Sequence, residues 1–149
     1  MTGTTMYEFA GGLPAFQALA AAHHERCLAD PVLNHPFSHR LHPEHVTRLA
    51  AYLAEVFGGP SSGLDQSTML DLHARNGMEA DLGERFVACF VRAADDAGLP
   101  EDPAFRDGLR AYMEWAVGEV LAYNAPDAVV PPGQRTPRWG WDGLELRGS

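Results

Sequence analysis

The sequence predicts an all-α protein, and three observations lead to that prediction. Apolar residues recur at helical spacing along most of the chain, no run of strict alternation stands out, and β-branched residues are sparse. Proline and glycine stand where helices would begin and end. The chain has 149 residues, of which 46% are hydrophobic and 21% charged, so it has the size and composition of one globular domain with a buried core.

Two helices are predicted in the first half of the chain. Pro14 begins the first, and the helical pattern stops near Asp30. Proline is favourable in a first helical turn because its missing N–H would be unpaired there. Pro43 begins the second helix, which ends at the run Gly58-Gly59-Pro60.

Three more helices are predicted in the second half. A short one carries the apolar segment that ends at His73. Asp81 and Glu84 resemble a capping box and introduce a long helix that closes at Gly98. Asp102, followed by proline, caps the last helix.

The composition changes after residue 124, so we expect a helical domain over residues 1–124 and a C-terminal extension over residues 125–149. The extension holds four of the 11 prolines, together with Trp139 and Trp141. We expect these tryptophans to dock on the helical body or on a neighbouring subunit.

Charge and segment patterns exclude several kinds of partner. The formal net charge is −9, with 11 Lys and Arg against 20 Asp and Glu, which disfavours nucleic acids and anionic membrane surfaces. No apolar run approaches the ~20 residues of a membrane span, and no signal peptide is visible, so a cytoplasmic protein is expected. Cys27 and Cys89 show no paired spacing and are expected to be small, reduced, buried residues.

The histidines are distributed unevenly. His73 stands by itself in an apolar segment, and the other six fall between His23 and His45. Helical spacing turns His45 inward and places His24 at the border of an apolar face. His73 can be an ordinary core residue. Otherwise, these three imidazoles converge on one transition metal, or His73 ligates a haem iron with His45 and His24 on the opposite side.

A zinc site is only weakly indicated. His42 and His45 are three residues apart, but they straddle the start of the second helix. Helical zinc ligands usually lie four residues apart on one face, with a third ligand nearby.

Over about residues 7–124 the chain resembles the group II truncated haemoglobins, or a close offshoot of them. The match contains two double-glycine pairs, Gly11-Gly12 and Gly58-Gly59, and their order and spacing around His73 make it fairly specific. The matching segments are residues 7–12, 30–33 with Phe37, 42–44, 48–53, 58–60, 69–73 and 85–90, with Asn124 at the end of the core.

The resemblance implies a globin-like two-over-two helical sandwich around haem b, with His73 as the proximal iron ligand. Phe37 would lie against the haem face, and Arg48 would meet a haem propionate. His24 and His45 would occupy distal positions, as hydrogen-bond donors and candidate catalytic acid–base groups. The residues expected to contact haem are His73, Phe37, Arg48, Leu49, Tyr52, Met69, Leu72 and Phe86.

Two positions depart from the family pattern: His24 stands where the family commonly has tyrosine, and Phe86 where it commonly has tryptophan. The implied function is reversible binding of a diatomic gas, oxygen or nitric oxide, by a monomer or a homodimer. Nitric oxide dioxygenase or peroxidase activity would need an external reductase, because the chain has no recognisable flavin- or nicotinamide-binding motif. The alternative is a haem-free globin-like sensor or interaction module, in which His73 is structural.

Overall fold

The computed structural model describes residues 4–31, 45–74 and 80–146. Within these ranges the chain forms six α-helices and one antiparallel β-hairpin, so the all-α prediction is confirmed with a small addition. The elements are α1 Met6–Ala10, α2 Leu13–Ala29, α3 His45–Val56, α4 Gln66–His73, α5 Ala80–Asp96, α6 Pro103–Leu121, β1 Arg138–Gly140 and β2 Gly143–Leu146.

The predicted helix boundaries are mostly confirmed. Helix α2 has Pro14 in its first turn and ends one residue before Asp30. After α3 the chain leaves the helical conformation at Gly58, whose φ of 107° favours glycine. The Asp102 carboxylate accepts a hydrogen bond from the Phe105 N–H at 3.0 Å, as the predicted cap requires.

Two local predictions differ from the structure. Helix α1 was not predicted, although Thr5 and Glu8 form a reciprocal capping box at its start, with both N–H···O distances at 3.1 Å. The predicted capping box at Asp81 is wrong, because this residue lies inside the first turn of α5. A carboxylate there favours the helix dipole, and acidic residues at either position look alike in a sequence.

The helices pack as two pairs. Helix α2 lies against α3, α5 lies against α6, and α2 also contacts α5 and so joins the pairs. The main core fills the space between them with large, fully buried side chains. These include Phe16, Leu19, Leu53, Phe57, Phe90, Phe105, Leu109 and Tyr112.

The C-terminal extension lies on the helical body. Trp139 in β1 is buried and packs edge-on against Tyr112, with ring centroids 5.7 Å apart. Trp141 follows β1, contacts Phe9 at 5.2 Å and donates its indole N–H to the Thr4 carbonyl at 2.9 Å. The extension therefore packs against both α1 and α6.

The extension also holds the start of α4. The Ser67 hydroxyl donates to the Pro131 carbonyl at 2.7 Å and accepts from the Gln134 N–H at 2.8 Å. The Thr136 hydroxyl donates to the Leu64 carbonyl at 3.0 Å. The helix that ends at His73 is thus anchored at its first turn by residues from the far end of the sequence.

Candidate functional site

Helix α2 buries a histidine that sequence analysis did not select. His23 is 3% exposed, and its ring meets Phe86 and Phe90 edge-on, with centroids 4.6 and 5.4 Å apart. His24, the residue selected, is half-buried. The signal that could have found His23 is its place on the apolar stripe, four residues after Leu19.

Helix α3 presents a graded face. Arg48 is exposed, Leu49 is half-buried against the core, and Tyr52, one turn further on, is buried. The Tyr52 hydroxyl donates a hydrogen bond to Oε1 of Gln66 at the start of α4. This bond links α3 to the start of α4, near the loop that connects the two helices.

The hydrogen-bonded pair Tyr52 and Gln66, which we call the joint, links α3 to α4 and is buried. The phenol of Tyr112 lies near enough to that of Tyr52 to affect its pKa. Burial raises the pKa of both phenols well above the ordinary value, so both stay protonated as hydrogen-bond donors. Gln66 is 3% exposed, and its Nε2 is buried with no hydrogen-bond partner among the described residues.

Helix α4 begins with a well-formed cap. The Asp65 carboxylate accepts from the Thr68 N–H at 2.7 Å, and this bond holds the pKa of Asp65 below its usual value. Met69 is half-buried and packs against the main core and against a smaller apolar cluster around Leu70 and Val120. His73 is the last residue of the helix.

His45 and His73 occupy matching positions on the two helices. His45 precedes Tyr52 by seven residues, and His73 follows Gln66 by seven. Each position is therefore two helical turns, about 10 Å, from the joint. The side chains of His45, Leu72 and His73, and the whole of Phe37, lie outside the described part of the structure.

Three described apolar side chains are candidates for contact with a haem. Leu49, Met69 and Phe86 come from three different helices, pack against the core and remain half-exposed. A porphyrin needs apolar walls of this kind, with a cation near its propionate edge, and Arg48 is an exposed cation next to Leu49. Among the described residues no cluster of three or more His, Cys, Asp or Glu side chains could hold a metal ion.

Comparison with known families decides what kind of protein this is. A family described as bacterial-like globin matches residues 5–116. The chain belongs to the bacterial-like globin family. Globins are haem proteins, so family membership implies that this globin binds haem and suggests a gaseous ligand.

Solved structures agree with the family match. The group II truncated haemoglobin of Bacillus anthracis is 18% identical with a TM-score of 0.70, covering 80% of this chain and 92% of that one. The haemoglobin of Chloroflexus aurantiacus is 26% identical with a TM-score of 0.67 (79% and 98% covered). That of Thermobifida fusca is 29% identical with a TM-score of 0.64 (83% and 100% covered). The Bacillus likeness shows the fold only, at that identity.

No curated protein matches this globin. In the described ranges, each helix is too short or too polar to cross a membrane.

Proposed function

We propose that this globin holds haem b between α3 and α4 and binds a diatomic gas, oxygen or nitric oxide, reversibly. The observation that carries the proposal is the pair of helices that leave the Tyr52–Gln66 joint, with His45 and His73 two turns along each. The half-buried apolar side chains of Leu49 and Met69 lie on the same two helices, nearer the joint. Haem, when bound, supplies the iron at which the gas binds.

Each proposed contact has a chemical reason. His73 would supply the imidazole that ligates iron, and Phe37 and Leu72 would add apolar contacts. Phe86 is half-buried and packs edge-on against His23, and its ring would add a further apolar contact to the haem. Arg48 is exposed, as a cation that pairs with a propionate at the rim of the site should be.

An imidazole is the best candidate for the hydrogen-bond donor to the gas. Tyr52 gives its hydroxyl proton to Gln66, so that phenol is already committed within the joint. His45 lies on α3 and His24 is half-buried on α2, so either imidazole would hold a proton at the ring nitrogen that faces the gas. The same group could move a proton in nitric oxide dioxygenase or peroxidase chemistry, with electrons from a separate reductase.

Haem retention tests the assignment of His73. The purified protein, or the protein reconstituted with haemin, should show a Soret band, and His73→Ala should lose it. His39→Ala is the matched control, because His39 falls in a predicted connecting segment and should leave haem content unchanged. Equal haem content in His73→Ala and wild type would reject the assignment, and a wild type that never takes up haem would favour the haem-free module.

Ligand dissociation tests the distal assignment. A hydrogen bond in a site of low dielectric contributes on the order of 1.5–3 kcal/mol, so losing it should raise the gas dissociation rate roughly tenfold or more. Stopped-flow measurements on His45→Ala and His24→Ala should find this increase in one of the two variants. His39→Ala is the control and should keep the wild-type rate. Wild-type rates in both histidine variants would contradict the proposal.

A further inference from the structure

The fold brings together two cysteines that lie far apart in the sequence. Cys27 on α2 is 2% exposed, and Cys89 on α5 is half-buried. Both are free thiols on helices that pack against each other, and Cys89 lies near enough to Cys27 to raise its pKa. Their spacing along the chain does not reveal this proximity, because α2 and α5 meet only in the folded protein.

Two ion pairs hold the helices together around these thiols. Arg85 on α5 contacts Asp30, the residue that directly follows α2, with Nη1 3.0 Å from Oδ2. Arg26 on α2 pairs with Asp96 at the other end of α5. The thiols lie between the two pairs, so the helices cannot slide past each other without breaking an ion pair.

A base lies beside the buried thiol. Nε2 of His23 is 3.7 Å from Sγ of Cys27, one helical turn away. Burial, reinforced by Cys89, raises the pKa of Cys27 to about 12, so this thiol is protonated at neutral pH. A thiol must lose its proton before it attacks a disulfide, so a neighbouring imidazole matters here.

We propose that Cys27 and Cys89 form a reversible disulfide by exchange with a small disulfide such as oxidised glutathione. The proposal does not depend on haem. Cys89 reacts first because it is the more exposed thiol. Its sulfur attacks one sulfur of oxidised glutathione, a bond forms between Cys89 and glutathione, and one glutathione leaves as its thiolate and takes up a proton.

The second step joins the two helices. His23 accepts the proton of Cys27, and the Cys27 sulfur attacks the Cys89 sulfur. The bond between Cys89 and glutathione breaks, and the departing thiolate receives a proton. In total the two protein thiols lose two electrons and two protons, and one oxidised glutathione becomes two reduced molecules.

The bond would form next to the proposed gas site. Cys27 lies one turn from His23, and His23 contacts Phe86. A disulfide needs a sulfur–sulfur separation of about 2.05 Å, so its formation would fix the spacing of α2 and α5 at this point. The oxidised protein would therefore differ from the reduced one along the α2 face that carries His23 and His24.

Peptide mass spectrometry tests the proposal directly. The reduced protein is incubated with oxidised glutathione, alkylated, and digested without reductant. We expect a cross-linked pair of peptides containing Cys27 and Cys89, which disappears after treatment with dithiothreitol. Titration against the ratio of reduced to oxidised glutathione then gives the reduction potential of the bond.

Three variants make the test specific. Cys27→Ser should stop at the mixed disulfide on Cys89. Cys89→Ala combined with Ala88→Cys moves the thiol to an exposed neighbouring position that faces another direction, and this variant should form no bond to Cys27. His23→Gln should accumulate the mixed disulfide, with the second step slowed roughly tenfold or more.

The outcomes separate clearly. A wild-type protein that stops at the mixed disulfide, or links only between molecules, overturns the proposal. Equal cross-linking from position 88 would also overturn it, because the bond would then form in unfolded chains. Far-UV circular dichroism of each variant shows that the fold is intact, and an unchanged second step in His23→Gln would remove the imidazole from the scheme.

Discussion

Two groups of apolar residues in the helical body differ in burial. In one group the aromatic rings of Phe16, Phe57, Tyr112 and Trp139 form a continuous buried series, with centroids of successive rings 5.2 to 5.7 Å apart. We call this group the closed side. The other group, which we call the open side, consists of Leu49, Met69 and Phe86, each half-exposed and packed against the core.

The contrast separates residues whose burial stabilises the fold from residues that leave apolar surface for a ligand. Rings in the closed side are surrounded by protein, so their burial contributes fully to the free energy of folding. The three open-side residues keep apolar surface that internal packing does not cover. That surface is available to an apolar ligand, and it contributes to stability only when such a ligand binds.

The largest expected effect is a difference in unfolding free energy between two phenylalanine variants, one from each side. Phe57→Ala should lower the free energy of unfolding by about 3–5 kcal/mol, because it leaves a cavity in the closed side. Phe86→Ala should cost only about 1 kcal/mol in the haem-free protein, because less of that ring is buried. Urea denaturation of the haem-free variants measures both values.

The same two variants should affect haem affinity in the opposite order. Phe86→Ala should weaken haem binding, measured by transfer of haem to apomyoglobin, and Phe57→Ala should change it little under conditions where it is folded. Equal unfolding losses in the two variants would contradict the division into a closed and an open side.

A smaller effect on stability is expected at the joint formed by Tyr52 and Gln66. Tyr52→Phe removes the hydroxyl that donates to Gln66 and leaves a buried amide oxygen without this partner. The free energy of unfolding should fall by about 1–3 kcal/mol. Thermal unfolding of the haem-free protein measures this loss.

A double variant checks the cause of that loss. Tyr52→Phe with Gln66→Met replaces both polar partners by apolar groups and should recover part of the stability. If the double variant loses the sum of the two single losses, the hydrogen bond is not the cause.

The smallest effect is expected at the cap of α4, and it depends on pH. Hydrogen bonds from Thr68 lower the pKa of Asp65 from its ordinary value of 3.8. A lowered pKa means that the carboxylate stabilises the fold above 3.8, and that this contribution disappears as the pH falls through the folded-state value. Asp65→Ala should therefore be less stable than wild type at pH 7, and the difference should shrink in acid.

Asp127→Ala is the matched control for this titration, because Asp127 is exposed and lies outside any helix. Melting temperatures measured from pH 7 to pH 2.5 should converge only for Asp65→Ala and wild type. A difference that stays constant with pH would show that the charge of Asp65 contributes nothing.

Local signals in the sequence predicted most of the helices. Pro14, Gly58 and Asp102 act through their own backbone and cap geometry, so each marks a boundary without knowledge of the rest of the fold. Helix α1 has an equally local signal in Thr5 and Glu8, which sequence analysis overlooked. The hairpin has no such signal, because strands of three and four residues are too short to show alternation.

Contacts between distant segments could not be predicted in this way. The partner of Tyr52 is Gln66 on the next described helix, and Cys27 on α2 lies near Cys89 on α5. Such pairs depend on how helices cross, which periodicity does not determine. His23 shows the same limit. Its position four residues after Leu19 is typical of a buried residue, but periodicity cannot show that it contacts Phe86.

The hydrogen bond from Trp141 to the Thr4 carbonyl brings residues near the two ends of the chain side by side. A short peptide linker can therefore join those ends without stretching across the molecule. New ends can be opened near Gly63, in the exposed segment between α3 and α4. A circularly permuted protein of this kind would begin with the helix that carries His73 and end with the helix that carries His45, with every helix keeping its neighbours.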